Sequence, residues 1–144
     1  MRALAIVLLS LALTACDPAY GVWRHAYVGI VPDPAKVRTI IQKTPGVDSV
    51  SYRHHKGGFP TMEEFYFDYR GGSKVRGELT FMIDSRKRIH YSQSLFALLE
   101  PPPQQYIDAT LPVMKRIELR LEREAELPGL QSSVRQDCIR VVCQ

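Results

Sequence analysis

The sequence predicts an α+β fold: a two-layer sandwich in which an antiparallel meander of four to five strands carries two helices on one face. Apolar residues alternate with a period of two in consecutive runs between residues 49 and 95, and they recur at helical spacing on either side of that region. The links between the runs are too short for parallel crossovers. A sheet that is buried on one side, with helices packed against that side, is the simplest arrangement of these elements.

The first strand and the first helix are predicted before residue 47. The segment His25–Val31 is the expected strand, and Asp33 and Pro34 are residue types preferred at the N-cap and the first position of a helix. The apolar face of this helix consists of Val37, Ile40 and Ile41. The passage through residues 45–50 is similar to the first βαβ stretch of small ferredoxin-like domains, which implies a similar packing of helix on sheet.

The middle of the chain predicts four strands joined by turns. Typical turn residues separate the alternating runs at residues 57–60, 71–73 and 84–87. The aromatic residues on the inward parity are expected in the core: Tyr52, Phe65, Phe67, Tyr69, Phe81 and Tyr91. Tyr66 and Met82 have the outward parity and would form a small exposed apolar patch for a partner if the second face of the sheet is open.

A longer helix is predicted after the three prolines at residues 101–103. Its apolar stripe consists of Ile107, Leu111, Met114, Ile117, Leu121 and Ala125. Pro112 lies inside the stripe, so either the regular helix starts near residues 108–110 or a kink falls at Pro112. Pro128 and Gly129 end the helix, and a short tail follows.

Composition limits the class of protein. Of the 144 residues, 45% are apolar and 24% are charged, and the net charge is +4. These values exclude a disordered chain, a collagen-like repeat, a disulfide-dense mini-protein and a multi-spanning membrane protein. We therefore expect one compact domain with a hydrophobic core.

The N-terminus has the pattern of a signal peptide. Met1 and Arg2 precede an apolar run over residues 3–13 that is interrupted at Ser10. As a helix, the thirteen residues 1–13 span roughly 20 Å, which is less than the hydrocarbon core of a bilayer, about 30 Å. The run therefore suits the h-region of a signal peptide better than a permanent membrane span. We expect residues 1–15 to be removed.

The sequence LTAC at residues 13–16 resembles the lipobox of bacterial lipoproteins. The resemblance implies a diacylglyceryl group on the Cys16 sulfur, cleavage before Cys16 and an N-acyl chain on the new amino group, a combination that holds a protein stably at a membrane. It places the chain on the periplasmic side of the cell membrane, and Asp17 favours the inner membrane in some Gram-negative lineages. Residues 16–23 would then form a short tether and residues 24–144 a single domain.

The two remaining cysteines, Cys138 and Cys143, suit a disulfide in an exported protein. A disulfide requires Cα atoms within about 7 Å, whereas a straight strand would separate these residues by about 16 Å. If they pair, the chain must turn back despite the strand-like residues 139–142, and the bond would pin the C-terminus. The alternatives are a bond to another chain or two free thiols on a straight strand.

The adjacent histidines His54 and His55 are the weak candidates for metal ligands. Neighbouring residues of a strand point to opposite faces, and a metal site needs three or four converging ligands. The other two histidines, His25 and His90, lie elsewhere in the chain. We therefore predict no metal and no cofactor other than the acyl chains at Cys16.

No catalytic motif is recognised. Glu63 and Glu64, with His55 and Asp68 nearby, could supply acid and base groups, but their spacing fixes no geometry. The sequence thus favours a non-enzymatic protein-interaction module of the cell envelope, held at the membrane by its anchor and not a partner of nucleic acid. The alternative is a periplasmic domain that binds a small ligand or a metal. A hydrolase whose site is assembled from distant residues is the third hypothesis.

Overall fold

The computed structural model describes residues 19–55, 60–70 and 76–143, and it is an α+β protein built on a six-stranded antiparallel sheet. In chain order the elements are β1 (Ala19–Val28), α1 (Pro34–Gln42), β2 (Val47–His55), β3 (Thr61–Tyr69), β4 (Arg76–Ile83), β5 (Ile89–Leu98), α2 (Gln104–Glu124), α3 (Leu130–Ser133) and β6 (Arg135–Ile139). The predicted class, the first helix, the four consecutive strands and the long second helix are confirmed.

The strand order in the sheet is β2-β3-β4-β5-β1-β6, and every neighbouring pair is antiparallel. The meander from β2 to β5 agrees with the prediction, but β1 and β6 extend the sheet to six strands rather than four or five. The ferredoxin-like expectation agrees only roughly: the order strand, helix, strand is present at the start of the chain, yet β3, β4 and β5 lie between β1 and β2.

The bounds predicted for the first strand and the tether are wrong. Strand β1 begins at Ala19 and ends at Val28, so residues 19–23 of the expected tether belong to the sheet. Strand β1 starts early because β5 is long. All ten residues of β5 pair with β1, and the first residue of β1, Ala19, lies opposite Leu98. Gly21 permits the close approach, since a Cβ there would lie 2.0 Å from the backbone oxygen of Leu95.

Helix α1 begins as the sequence predicts. The carboxylate of Asp33 accepts a hydrogen bond from the backbone N–H of Ala35 at 3.1 Å, which satisfies one of the free donors of the first turn. Pro34 occupies the first helical turn, where no backbone donor is needed. The buried residues of α1 are those of the predicted apolar face, Val37, Ile40 and Ile41.

Helix α2 starts earlier than predicted. It runs from Gln104 to Glu124 with Pro112 inside it, so the expected start near residues 108–110 is wrong. A proline inside a helix loses the hydrogen bond to the carbonyl four residues before it, here Asp108. Both residues are exposed, so water can reach that carbonyl. The buried side chains of Tyr106 and Ile107 add packing to the first turn, before the proline.

The core lies between the two long helices and one face of the sheet. Five of the six aromatic residues predicted for the core are buried: Phe65, Phe67, Tyr69, Phe81 and Tyr91. Tyr52 is the exception, because it is 39% exposed and its hydroxyl donates to Glu63. It belongs to β2, the edge strand, and reaches the core only by packing against Phe65 with ring centroids 5.1 Å apart.

A buried ion pair joins β1 to α2 within this core. The Arg24 guanidinium donates to both carboxylate oxygens of Glu118, at 2.7 and 2.8 Å, and the Glu118 residue is 0% exposed. Arg24 also donates to the side-chain oxygen of Gln136 on β6 at 2.5 Å. The hydrogen bond to Glu118 and then the negative charge of that carboxylate raise the pKa of Arg24 above its ordinary value, against the opposing effect of burial.

The tail forms an edge strand and an intrachain disulfide. Strand β6 pairs with β1 and ends at Ile139, and Arg140 then turns the chain with φ of 55°. The sulfur atoms of Cys138 and Cys143 are bonded and their Cα atoms lie 6.2 Å apart. The predicted intrachain pair is therefore confirmed, and the straight strand over residues 139–142 is not formed.

Candidate interaction surface

The two faces of the sheet differ in what lies against them. Helices α1 and α2 contribute their apolar residues to the same buried cluster as one face. The register of the strands assigns the side chains of the opposite parity to the other surface, which we call the open face. Its members with side chains larger than alanine include Trp23, His25, Tyr27, Ser51, Arg53, His55, Met62, Glu64, Tyr66, Asp68, Arg76, Glu78, Thr80, Met82, His90, Ser92, Ser94, Phe96, Leu98, Arg135, Asp137 and Ile139.

The open face is rich in large apolar and aromatic side chains. Trp23, Tyr66 and Phe96 are half-buried by their neighbours on the sheet. Met62 and Met82 stand directly opposite each other on β3 and β4 and are half-buried as well. The predicted outward parity of Tyr66 and Met82 is therefore confirmed, but the Glu64–Thr80 pair separates them along the sheet and both are half-buried rather than exposed.

Cationic side chains lie over two of the aromatic rings at this surface. The guanidinium of Arg53 is 5.9 Å from the centre of the Tyr66 ring, and that of Arg88 is 5.1 Å from the centre of the Tyr27 ring. The ring of His90 packs on Tyr27 with centroids 4.4 Å apart. Such contacts show that the rings accept positive charge on their faces.

Two carboxylates share the centre of the open face. Glu64 lies opposite Thr80, and Glu78 is two residues along the same strand from Thr80, so Glu64 and Glu78 are diagonal neighbours. The pKa of Glu78 is raised above its ordinary value, first by burial and then by the negative charge of Glu64. Burial and the same two carboxylates also raise the pKa of Tyr66. The ionised form of Glu78 is therefore disfavoured in the folded protein.

A β-bulge shapes the rim of this surface. The register between β2 and β3 shifts between Asp48 and Ser51, where Ser49 has φ of 50°. A cavity of about 290 Å³ opens beside the bulge, with Tyr66 and Arg76 among its lining residues. The open face therefore has a recess at its rim beside β2.

The candidate histidines are separated from one another. His54 lies with Glu63 on the helix side, where its Nδ1 is 2.7 Å from a Glu63 oxygen, and His55 lies on the open face, where its Nε2 is 2.5 Å from a Glu64 oxygen. The prediction that the adjacent pair points to opposite faces is confirmed. Within the ranges that the structure describes, no group of three or more His, Cys, Asp or Glu side chains is placed to hold a metal ion.

The structure adds a pairing that the sequence pattern did not indicate. The Nε2 of His25 is 2.7 Å from an Asp137 oxygen, and Ser92 lies opposite His25 on β5. Asp137 belongs to β6, a strand that lacks alternating apolar residues and lies in the segment that the sequence predicts as a tail. The side chains of His25 and Asp137 are 45% and 65% exposed, so they form a solvated surface pair rather than a buried catalytic arrangement.

Comparisons with known proteins identify no relative. No family model matches the chain, no curated protein matches it and no solved structure matches it. In the described part of the chain, no helix is long and apolar enough to cross a membrane. The predicted lipid-attachment residue, Cys16, lies outside the described residues.

Proposed function

We propose that this chain is a membrane-anchored lipoprotein of the bacterial cell envelope that binds a protein partner through the open face and does not act as an enzyme. The anchor is the acylated Cys16 implied by the lipobox, on the periplasmic side, with Asp17 favouring the inner membrane. The observation that carries the proposal is the open face itself, because half-buried Trp, Tyr, Phe and Met side chains on an uncovered sheet are typical of interaction sites.

The charges of the open face indicate the chemistry of the partner. Glu64 and Glu78 repel each other, and the pKa of Glu78 is already raised. A lysine or arginine between them would relieve that repulsion and form charge-assisted hydrogen bonds. The surrounding Tyr66, Met62 and Met82 suit apolar residues on either side of such a cation. We therefore infer a partner segment in which a basic side chain is flanked by apolar ones.

Site-specific photo-crosslinking in the native host tests this proposal. A benzophenone amino acid at Tyr66 or Met82 is expected to capture one discrete envelope protein, whereas the same probe at exposed Lys115 on α2 captures none. Glu78→Gln should lower the yield from the Tyr66 probe severalfold, and Glu126→Gln, an exposed control, should leave it unchanged.

The identity of the captured peptide decides the outcome. A segment that contains Lys or Arg between apolar residues supports the proposal. Equal capture from the open face and from Lys115, or capture that is insensitive to Glu78→Gln, contradicts it. A small molecule or a metal ion found bound to the native protein by mass spectrometry would instead favour the alternative of a ligand-binding periplasmic domain.

A further inference from the structure

Exposed apolar side chains gather at one end of the sheet. We call this group the apolar tip; its members and exposed fractions are Leu98 (56%), Leu99 (69%), Ile139 (42%) and Val142 (63%). The large apolar residues exposed elsewhere in the described ranges are Tyr27, Ile30 and Tyr52. Four aliphatic side chains that are 42–69% exposed at one end of the sheet cost hydration free energy that a free surface in water would not recover.

The apolar tip surrounds the point at which the chain arrives from Cys16. Ala19, the first residue of β1, pairs directly with Leu98. Ile139 pairs with Gly21 on the other side of β1. Val142 lies at the same end, because its carbonyl accepts a hydrogen bond from the side chain of Gln104 at the start of α2, 2.8 Å away.

Leu99, the most exposed member of the apolar tip, has a strained backbone conformation. Leu99 has φ of 75°, and the N–H of Glu100 donates to the Leu98 carbonyl at 3.0 Å, so Leu99 is the centre of a γ-turn of the rare, strained kind. A bulky residue in this region of φ is a genuine outlier. Glycine or asparagine would relieve the strain, yet an exposed leucine occupies the position, and strain of this kind points to a function.

The disulfide holds the other two members of the apolar tip in one short loop. The bond between Cys138 and Cys143 closes a short loop that contains both Ile139 and Val142. In the same loop the guanidinium of Arg140 lies 6.0 Å from the centre of the Tyr20 ring. Tyrosine and arginine beside exposed aliphatic residues are characteristic of surfaces at the membrane–water interface.

The short distance between the apolar tip and Cys16 indicates that the tip contacts a lipid bilayer. Two residues, Asp17 and Pro18, separate Cys16 from Ala19. Even fully extended, the chain from Cys16 to Ala19 spans about 10 Å. Apolar side chains of interfacial segments enter the boundary between head groups and acyl chains to a depth of about 5–10 Å. Acyl chains on Cys16 would thus bring the tip to that boundary.

We propose that the apolar tip enters the lipid interface beside acylated Cys16, so that the domain stands on the membrane with β1 directed away from it. This inference rests on the proposed function, because it needs the anchor. The ten residues of β1 span about 30 Å, which places Ile30 well away from the lipid. The open face then stands upright in the periplasm, where a partner can reach it.

Tryptophan quenching in vesicles tests the orientation. Trp23 is the single tryptophan of the chain, so Trp23→Phe removes all tryptophan fluorescence. A new tryptophan can then report its own position, and no cysteine has to be labelled. Leu99→Trp and the matched control Ile30→Trp are made in the full chain, processed by the host, and reconstituted into phosphatidylethanolamine–phosphatidylglycerol vesicles that contain lipids brominated on the acyl chain. Leu99→Trp is expected to lose most of its emission and to shift to the blue, whereas Ile30→Trp keeps its emission. Val142→Trp should behave like Leu99→Trp.

The intact mass of the same samples separates failure of the orientation from failure of the anchor. Acylated protein in which all three tryptophans remain unquenched, or are quenched equally, overturns the orientation and leaves the anchor in place. Protection of Leu99→Trp from iodide without quenching by bromine assigns the tip to a protein contact and also overturns it. Chain without acyl mass, or cleaved and acylated product from Cys16→Ala, overturns the anchor and the orientation together.

Discussion

The two faces of the sheet carry charged residues in opposite electrostatic conditions. On the helix-covered face, Arg24 meets Glu118 in a bidentate pair in which opposite charges neutralise each other. On the open face, Glu64 is buried and hydrogen-bonded to His55, while burial and then the negative charge of Glu64 raise the pKa of half-buried Glu78. On the covered face the buried carboxylate of Glu118 is neutralised by Arg24, whereas on the open face Glu78 keeps an unfavourable interaction with Glu64 that an external cation can relieve.

Three buried side chains of the covered face are hydrogen-bonded to one another beyond the ion pair. The Tyr91 hydroxyl donates to the side-chain oxygen of Gln93 at 2.8 Å, and the Gln93 amide donates to the Tyr69 hydroxyl at 3.2 Å. Burial raises the pKa of both tyrosines far above the ordinary value, so both remain neutral and available for these bonds. A satisfied network of this kind gives the covered face a structural role.

The largest effect is expected from breaking the buried pair. Arg24→Met leaves Glu118 buried without its partner, which should lower the free energy of unfolding by about 3–5 kcal/mol. The double variant Arg24→Met/Glu118→Leu removes both charges and should regain most of that loss, since apolar replacements of a buried pair are often neutral. Urea unfolding followed by circular dichroism measures both. If the double variant is as unstable as the single one, the pair is not what orders the covered face.

A smaller contrast is expected from truncating neighbouring residues of β4 that point to opposite faces. Leu79→Ala removes a side chain that is 0% exposed and should cost about 2–5 kcal/mol of unfolding free energy. Thr80→Ala, on the open face, should change the stability by no more than about 0.5 kcal/mol. Equal losses at the two positions, measured by the same unfolding experiment, would mean that the open face is packed like the core.

Local patterns predicted most of the sheet and the helices. Alternation marked the strands β2 to β5, and Asp33 with Pro34 marked the start of α1, because these signals act within a few residues. The same parity rule placed Tyr66 and Met82 on an outward surface. It also separated His54 from His55.

The remaining features depend on contacts between distant parts of the chain. The start of β1 is fixed by the length of β5. In the sequence Gly21 suggests a linker, and only the structure shows that it allows the backbone of Leu95 to approach closely. Strand β6 has little apolar alternation and forms because it completes the edge of β1. The neighbourhood of Glu64 and Glu78 depends on the register of β3 against β4, which no local pattern specifies.

The smallest effect concerns Glu78 and has the opposite sign to the others. Because the folded-state pKa of Glu78 is raised, the protein is penalised once Glu78 ionises, and stability falls as the pH rises through that pKa. Glu78→Gln should therefore stabilise the protein at pH 7 by a few tenths of a kcal/mol, about the size usual for surface changes, and the gain should vanish below the ordinary glutamate pKa of about 4.3.

Glu124→Gln is the matched control. The hydrogen bond from Arg120 lowers the pKa of Glu124, so the loss of that carboxylate should destabilise the protein at pH 7. If unfolding midpoints between pH 4 and pH 7 shift in the same direction for both variants, the open face holds no unfavourable charge, and the argument for a basic partner fails with it.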